Sequence, residues 1–182
     1  METIKAVCVE RAMSARARKP FHLILALASA LLAGPAVTAS GAAAELPDPL
    51  RFFEGRTEML STVKLITKKP YRSRTVGRGS IQDDGTLHLV QRVHDEGRPA
   101  YDRRWHIREL SPGRFTGTMS EAKGPIAVEQ ISGRYRFRFK MKGGVSVEQW
   151  LTPLGSTAAA SKATIRKLGI VVGRSDGTIR KL

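Results

Sequence analysis

Residues Arg134–Lys142 read RYRFRFKMK. Tyr135, Phe137, Phe139 and Met141 alternate with Arg134, Arg136, Arg138, Lys140 and Lys142. Successive side chains of a strand point to opposite faces. This stretch is therefore read as a strand with an apolar face turned to a core and a cationic ladder turned to water. Five like charges along one strand also discourage pairing with another molecule.

The neighbouring sequence supplies its partners. If Ser132-Gly133 is a two-residue turn, Ile131 pairs with Arg134, Gln130 with Tyr135, Val128 with Phe137 and Ile126 with Phe139. Glu129 then lies opposite Arg136 on the outer face, a cross-strand charge pair contributing about 0.2–1 kcal/mol. Turn signals recur from Leu50 onward, at Asp84-Gly85, Glu96–Pro99, Ser111–Gly113, Gly124-Pro125, Ser132-Gly133, Gly143-Gly144, Pro153–Gly155 and Asp176-Gly177. That rhythm, with no long stretch of clean helical period, predicts an all-β antiparallel barrel of about 8–10 strands. A short helix fits at Pro49–Phe53 or near Ala158–Lys162.

A second hairpin spans Thr86–Glu109. Matching Leu89 with Trp105 brings Leu87 to Ile107, Gln91 to Arg103 and Val93 to Tyr101. A one-residue slip would exchange the faces. The following hairpin is expected to set Phe115 opposite Ile107 and Gly117 opposite Trp105. These registers turn Gln91 and Arg103 inward among apolar neighbours, where an arginine is costly unless paired. Two loop lengths are open at Gly143-Gly144. A two-residue turn sends Glu148 and Trp150 inward, opposite Phe139 and Phe137, and offers Glu148 as the partner of Arg103. A loop one residue longer sends Val145, Val147, Gln149 and Leu151 inward and leaves Glu148 beside Arg138 outside. The first is preferred.

Gln91, Tyr101, Arg103, Trp105, Phe137, Phe139, Glu148 and Trp150 are thus the expected lining of a cup with a few polar groups in an apolar wall, the composition of a small-ligand pocket. The competing reading is a filled interior with one buried ion pair. His88 and His106 face each other outside, with His94 further along, but Arg92, Arg104 and Arg108 crowd that face, so they read as solvated histidines and no metal site is expected. No nucleophile elbow is present. Gly77-Arg78-Gly79-Ser80 lacks the spacing and lysine of a phosphate loop. No cofactor is implied.

The 182-residue chain carries 31 Lys+Arg against 16 Asp+Glu, a formal +15, with one Cys. One cysteine excludes a disulfide scaffold. Phe21–Ala33 (FHLILALASALLA) follows Arg16, Arg18 and Lys19 and precedes Gly34-Pro35 and small residues through Ala44. That is the layout of a secretory signal, with cleavage expected after Ala39 or Ala44. Translation from Met13 instead of Met1 would give a more ordinary leader. Cys8 would leave with it, and no Cys follows the apolar run, so no lipoprotein site is read. Residues 45–182 are expected to be one barrel domain, in the periplasm or secreted. Removing the five basic and two acidic residues before Ser40 leaves 26 and 14, still +12. Outside the cytoplasm that charge meets anionic envelope surfaces rather than nucleic acid.

Several short motifs occur in order: Phe52-Phe53-Glu54-Gly55 after Asp48-Pro49-Leu50, Asp84–Leu87, Arg103-Arg104-Trp105, Gly113–Gly117, Gly124-Pro125, Glu148-Gln149-Trp150 and Arg166–Val172. Over Asp48–Leu182 they resemble the bacterial domain-of-unknown-function family numbered 3833. The resemblance implies a lipocalin-like barrel in the envelope of Gram-negative bacteria, with no established activity. It also implies recurrence of the basic residue before Trp105 and the acidic residue before Trp150, which correspond to Arg103 and Glu148. Many members look like lipoproteins; this chain departs there.

Three functions are carried forward. The leading one is a non-enzymatic binder or carrier of a small amphipathic or lipid-like ligand, with Arg103 holding an anionic head group. The second is binding to anionic envelope surfaces through Arg134, Arg136, Arg138, Lys140 and Lys142. The third is an enzyme on the same barrel that uses Glu148 and Arg103.

Overall fold

A computed structural model describes residues 48–182; the leader and cleavage sites read above lie outside the described residues. A short helix α1 (Pro49–Phe53) precedes ten strands. These are β1 (Gly55–Leu65), β2 (Lys68–Ile81), β3 (Leu87–Asp95), β4 (Tyr101–Ser111), β5 (Arg114–Met119), β6 (Ile126–Ile131), β7 (Arg134–Met141), β8 (Val145–Pro153), β9 (Ala158–Lys167) and β10 (Ile170–Lys181). Each strand pairs antiparallel with its sequence neighbour, and β1 pairs with β10, so the sheet closes into a lipocalin-like up-and-down barrel. Closure leaves no sheet edge to manage.

The decisive stretch behaves as read. On β7, Tyr135 and Phe137 are buried while Arg134, Arg138 and Lys140 are exposed. Val128 pairs with Phe137 and Glu129 with Arg136. The pairing of β3 with β4 also follows the expected register, Leu89 with Trp105 and Gln91 with Arg103. The next hairpin differs. Phe115 lies opposite Glu109, Gly117 opposite Ile107, and Met119 opposite Trp105. Pro112-Gly113 is a tight turn, and the register shifts between Glu109 and Ser111, an irregularity of the bulge type. The two-residue difference preserves the faces, so Phe115 still points into the core. Gly117 is pressed against the β4 backbone: a Cβ there would lie 1.8 Å from the His106 carbonyl oxygen.

The turn between β7 and β8 also differs, with larger consequences. Met141 pairs with Val145 across Lys142-Gly143-Gly144, a three-residue loop. Both glycines have positive φ, +82° and +76°, which only glycine adopts freely. Val147 therefore faces Phe139, Gln149 faces Phe137, and Leu151 goes inward at 2% exposure. Glu148 and Trp150 point outward, against the preferred expectation. The longer loop buries a leucine and avoids desolvating a carboxylate.

Of the two candidate helices, Pro49–Phe53 forms and Ala158–Lys162 is strand β9. Asp48 caps α1, its Oδ1 accepting from the Leu50 amide at 2.7 Å, and Pro49 occupies the first turn, where a missing N–H costs nothing. At the β9 site, Ala159 and Ser161 occupy alternating inward positions of the strand, and both are buried. α1 packs at the end of the barrel that carries the β2–β3 turn. Phe52 is 1% exposed, and the Phe53 carbonyl oxygen rests where a Cβ of Gly79 would stand, 2.1 Å away. Phe52, Leu87, Ile126, Val128 and Leu151 fill this lower end. The opposite end carries the β1–β2, β3–β4, β5–β6, β7–β8 and β9–β10 turns and is not plugged by any described helix.

Candidate binding site

Above the packed end the inward side chains line an open space. Strands β1, β2, β9 and β10 contribute the small hydroxyl residues Ser61, Ser73, Thr75, Ser161 and Ser175 together with Met59, Val63, Tyr71 and Ile165. Strands β7 and β8 contribute Phe139, Met141, Val145 and Val147. The small hydroxyl residues leave space between these larger side chains. The result is an open cup of about 290 Å³. Beneath it lies a pocket of about 50 Å³ bordered by Gln91, Trp105, Phe137 and Gln149. Arg103 borders both, so the guanidinium stands at the floor of the cup.

Arg103 is not paired with Glu148. Its Nε donates to Glu121 Oε1 at 2.9 Å and its Nη2 to the Tyr101 hydroxyl at 3.1 Å. Glu121 follows β5, and its other oxygen accepts from Ser120 Oγ at 2.6 Å. The Glu121 segment is itself fixed to β7 by hydrogen bonds from the Lys123 amide to the Lys140 carbonyl and from the Lys142 amide to the Glu121 carbonyl. Arg103 and Glu121 are about one quarter exposed, so the pair faces the cup without being sealed. Burial pushes the Tyr101 phenol above its ordinary value, against the opposing pull of Arg103. The arginine thus neighbours a neutral phenol and one carboxylate.

Trp105 donates its indole N–H to Gln91 Oε1 at 2.8 Å and stands edge-on to Phe139, ring centroids 5.6 Å apart. Gln149 donates to Ser161 Oγ at 2.8 Å. Ser61 is 8% exposed, and its Oγ is the one buried side-chain polar atom among the described residues with no hydrogen-bond partner. A second cation stands higher in the cup. Arg98 lies over the Tyr71 ring at 4.9 Å and 3.7 Å from Asp95 Oδ2. Burial, then Asp95, raises the Tyr71 phenol, with Arg98 opposing.

Six of the eight candidate lining residues therefore meet around one space: Gln91, Tyr101, Arg103, Trp105, Phe137 and Phe139. Glu148 and Trp150 do not. Trp150 lies on the outer wall between Arg134 and Arg136, whose guanidinium carbons are 4.6 and 5.6 Å from its ring centroid. Glu148 Oε1 accepts from the Trp150 indole at 3.3 Å. The acid–base pairing of Glu148 with Arg103 is thereby removed, since the barrel wall separates them. The inward hydroxyls and Glu121 were missed. Alternating small residues, as in Ser73, Thr75, Gly77 and Gly79, are the signal that locates the inward hydroxyls.

The outer ladder exists but is partly neutralised. Glu129 accepts from both Arg136 and Arg138, the latter at 3.1 Å. That bonding, with Arg136 first, holds the Glu129 carboxyl below its usual range. His88 and His106 stack across strands at 4.3 Å; among the described residues no group of three or more His, Cys, Asp or Glu is placed to hold a metal.

The family described as "Protein of unknown function (DUF3833)" matches residues 35–181. The chain belongs to this family. The family description assigns no activity, and no curated protein matches the chain. Solved structures share the fold, among them the following two. One is an S-type phycobiliprotein lyase from Guillardia theta, 8% identical, with a TM-score of 0.58 over 73% of this chain and 90% of that one. The other is a protein of unknown function from the DUF3598 family of Nostoc punctiforme, 11% identical, with a TM-score of 0.51 over 76% of this chain and 50% of that one.

Proposed function

We propose that this DUF3833 member is an exported, non-enzymatic carrier of a small amphipathic anion, held head-down in the open end of the barrel. The observation that carries the reading is Arg103 at the floor of an open, half-apolar cup. A carboxylate or similar head reaching the floor would meet the guanidinium, whose charge-assisted bonds are the strong ones. The aliphatic part would lie along Phe139, Met141 and Val147. A volume near the lower end of the ordinary pocket range suits a medium-length chain rather than a long-chain lipid. The same fold occurs in an S-type phycobiliprotein lyase.

The test uses Trp105, whose ring borders the deeper pocket. In a Trp150→Phe background it is the sole tryptophan. Titration with decanoate is expected to shift its emission saturably, and Arg103→Met is expected to abolish saturation. An unchanged spectrum at millimolar decanoate would reject the carrier reading.

A further inference from the structure

Two hairpin tips at the open rim carry an apolar surface that folding does not use. The β1–β2 turn exposes Ile66 at 73%, and the β9–β10 turn exposes Leu168 at 89% and Ile170 at 68%. Val171 beside them is 37% exposed. The tips are neighbours because β1 pairs with β10 up to Leu65 and Gly173, and the Ile66 amide donates to the Val172 carbonyl at 3.1 Å. Other exposed large apolar residues, such as Leu110 and Leu154, stand singly at the opposite end, which is ordinary for a protein surface. A cluster of four on adjoining tips is not.

Leu168 adds a second, independent observation. It has φ +51°, in the left-handed region, and precedes Gly169 at +82°. The first position of such a tight turn favours Asn, Asp or Gly. A bulky residue there is strained, and this one contributes no burial in return. Neither the backbone nor the core accounts for a leucine at that place.

The collar of the patch is cationic, with Asp176 beyond it on β10 beside Lys64 and Arg174. Segments 64–69 and 166–174 contain Lys64, Lys68, Lys69, Arg166, Lys167 and Arg174 and no acidic residue. Among the described residues none of the six forms an ion pair with a carboxylate. An apolar tip ringed by unneutralised cations is complementary to the interface of an anionic bilayer. The side chains enter the acyl boundary while the ammonium and guanidinium groups meet phosphate. We infer that the β1–β2 and β9–β10 tips dock the barrel on anionic lipid membranes with its open end turned toward the bilayer. Val63, Ile165 and Ser175, on the same strands, line the cup, so docking sets the mouth beside the lipid. The inference does not depend on what the cup binds.

The test is hydrogen–deuterium exchange of the full chain with vesicles of three parts phosphatidylcholine to one part phosphatidylglycerol. Amides in 64–69 and 166–172 are expected to exchange at least about threefold more slowly with these vesicles, and 82–86 at the other end to be unaffected. Phosphatidylcholine alone is expected to give no protection. Equal protection by neutral vesicles, no protection at the tips, or protection centred on 134–142 would each overturn the proposal. Leu168→Asn guards against misfolding as an explanation. Asparagine tolerates the left-handed conformation, so this variant is expected to melt higher than wild type yet lose the vesicle protection at 166–172. Retained protection in that variant would also overturn the proposal.

Discussion

At the scale of single residues, Arg103 is placed by Glu121 and Tyr101, and Glu121 offsets charge that an anionic ligand would otherwise use. Glu121→Gln is therefore predicted to act in two directions. Stability falls by about 1 kcal/mol because a half-buried guanidinium loses its carboxylate, while affinity for an anionic probe rises several-fold. A thermal melt and a decanoate titration of one preparation check both signs. Gly117 makes the opposite kind of demand, steric rather than electrostatic. Its missing Cβ would meet the His106 carbonyl oxygen and the Ile107 backbone, neither of which can step aside. Gly117→Ala is predicted to cost at least about 2 kcal/mol, measured by denaturant unfolding. Arg103 was legible as an inward cation from the Leu89–Trp105 register alone. Its partner was not, because Glu121 lies in a turn, outside any alternating pattern that would assign it a face.

At the scale of elements, α1 stops the lower end and is held by Phe52 and by the close approach of Phe53 to Gly79. Phe52→Ala is predicted to lower unfolding free energy by about 3–5 kcal/mol and to leave the Arg103 cup at the other end able to bind. Loss of binding with little loss of stability would contradict that division. Strand β8 shows where pattern reading reaches its limit. Its face depends on whether the loop after Met141 has two residues or three, and Gly143-Gly144 satisfies either. The alternation from Val145 to Leu151 is weak, since Val147, Gln149 and Leu151 compete with Glu148 and Trp150 for the interior. Strand β7 had no such ambiguity, because every outward residue is cationic. Accordingly, Glu148→Gln and Trp150→Phe are predicted to leave ligand affinity unchanged within about twofold, less than half of a tenfold step's 1.4 kcal/mol.

At the scale of the whole molecule, the barrel is legible in the turn rhythm, and the cup follows from how residue size is distributed around it. Titrating groups bound its stability at both ends of the pH range. The Tyr71 and Tyr101 phenols are raised above 10.0 in the folded chain, chiefly by burial. Their contribution is complete below that value and is lost as pH climbs through the raised values. Glu129 is lowered from 4.5 by Arg136, so its contribution is present above 4.5 and is lost as pH falls through the lowered value. Unfolding midpoints taken from about pH 3 to about pH 11 should fall at both ends. Tyr101→Phe should flatten the alkaline limb and Glu129→Gln the acid limb. The central claim is that the cup selects an anionic amphiphile through Arg103. Calorimetric titration of the full chain with decanoate, decanol and decyltrimethylammonium compares one tail with three heads. The account predicts decanoate tightest by at least about tenfold, the cation weakest, and the preference erased in Arg103→Met. Equal affinity for all three, or a preference that survives Arg103→Met, would contradict it.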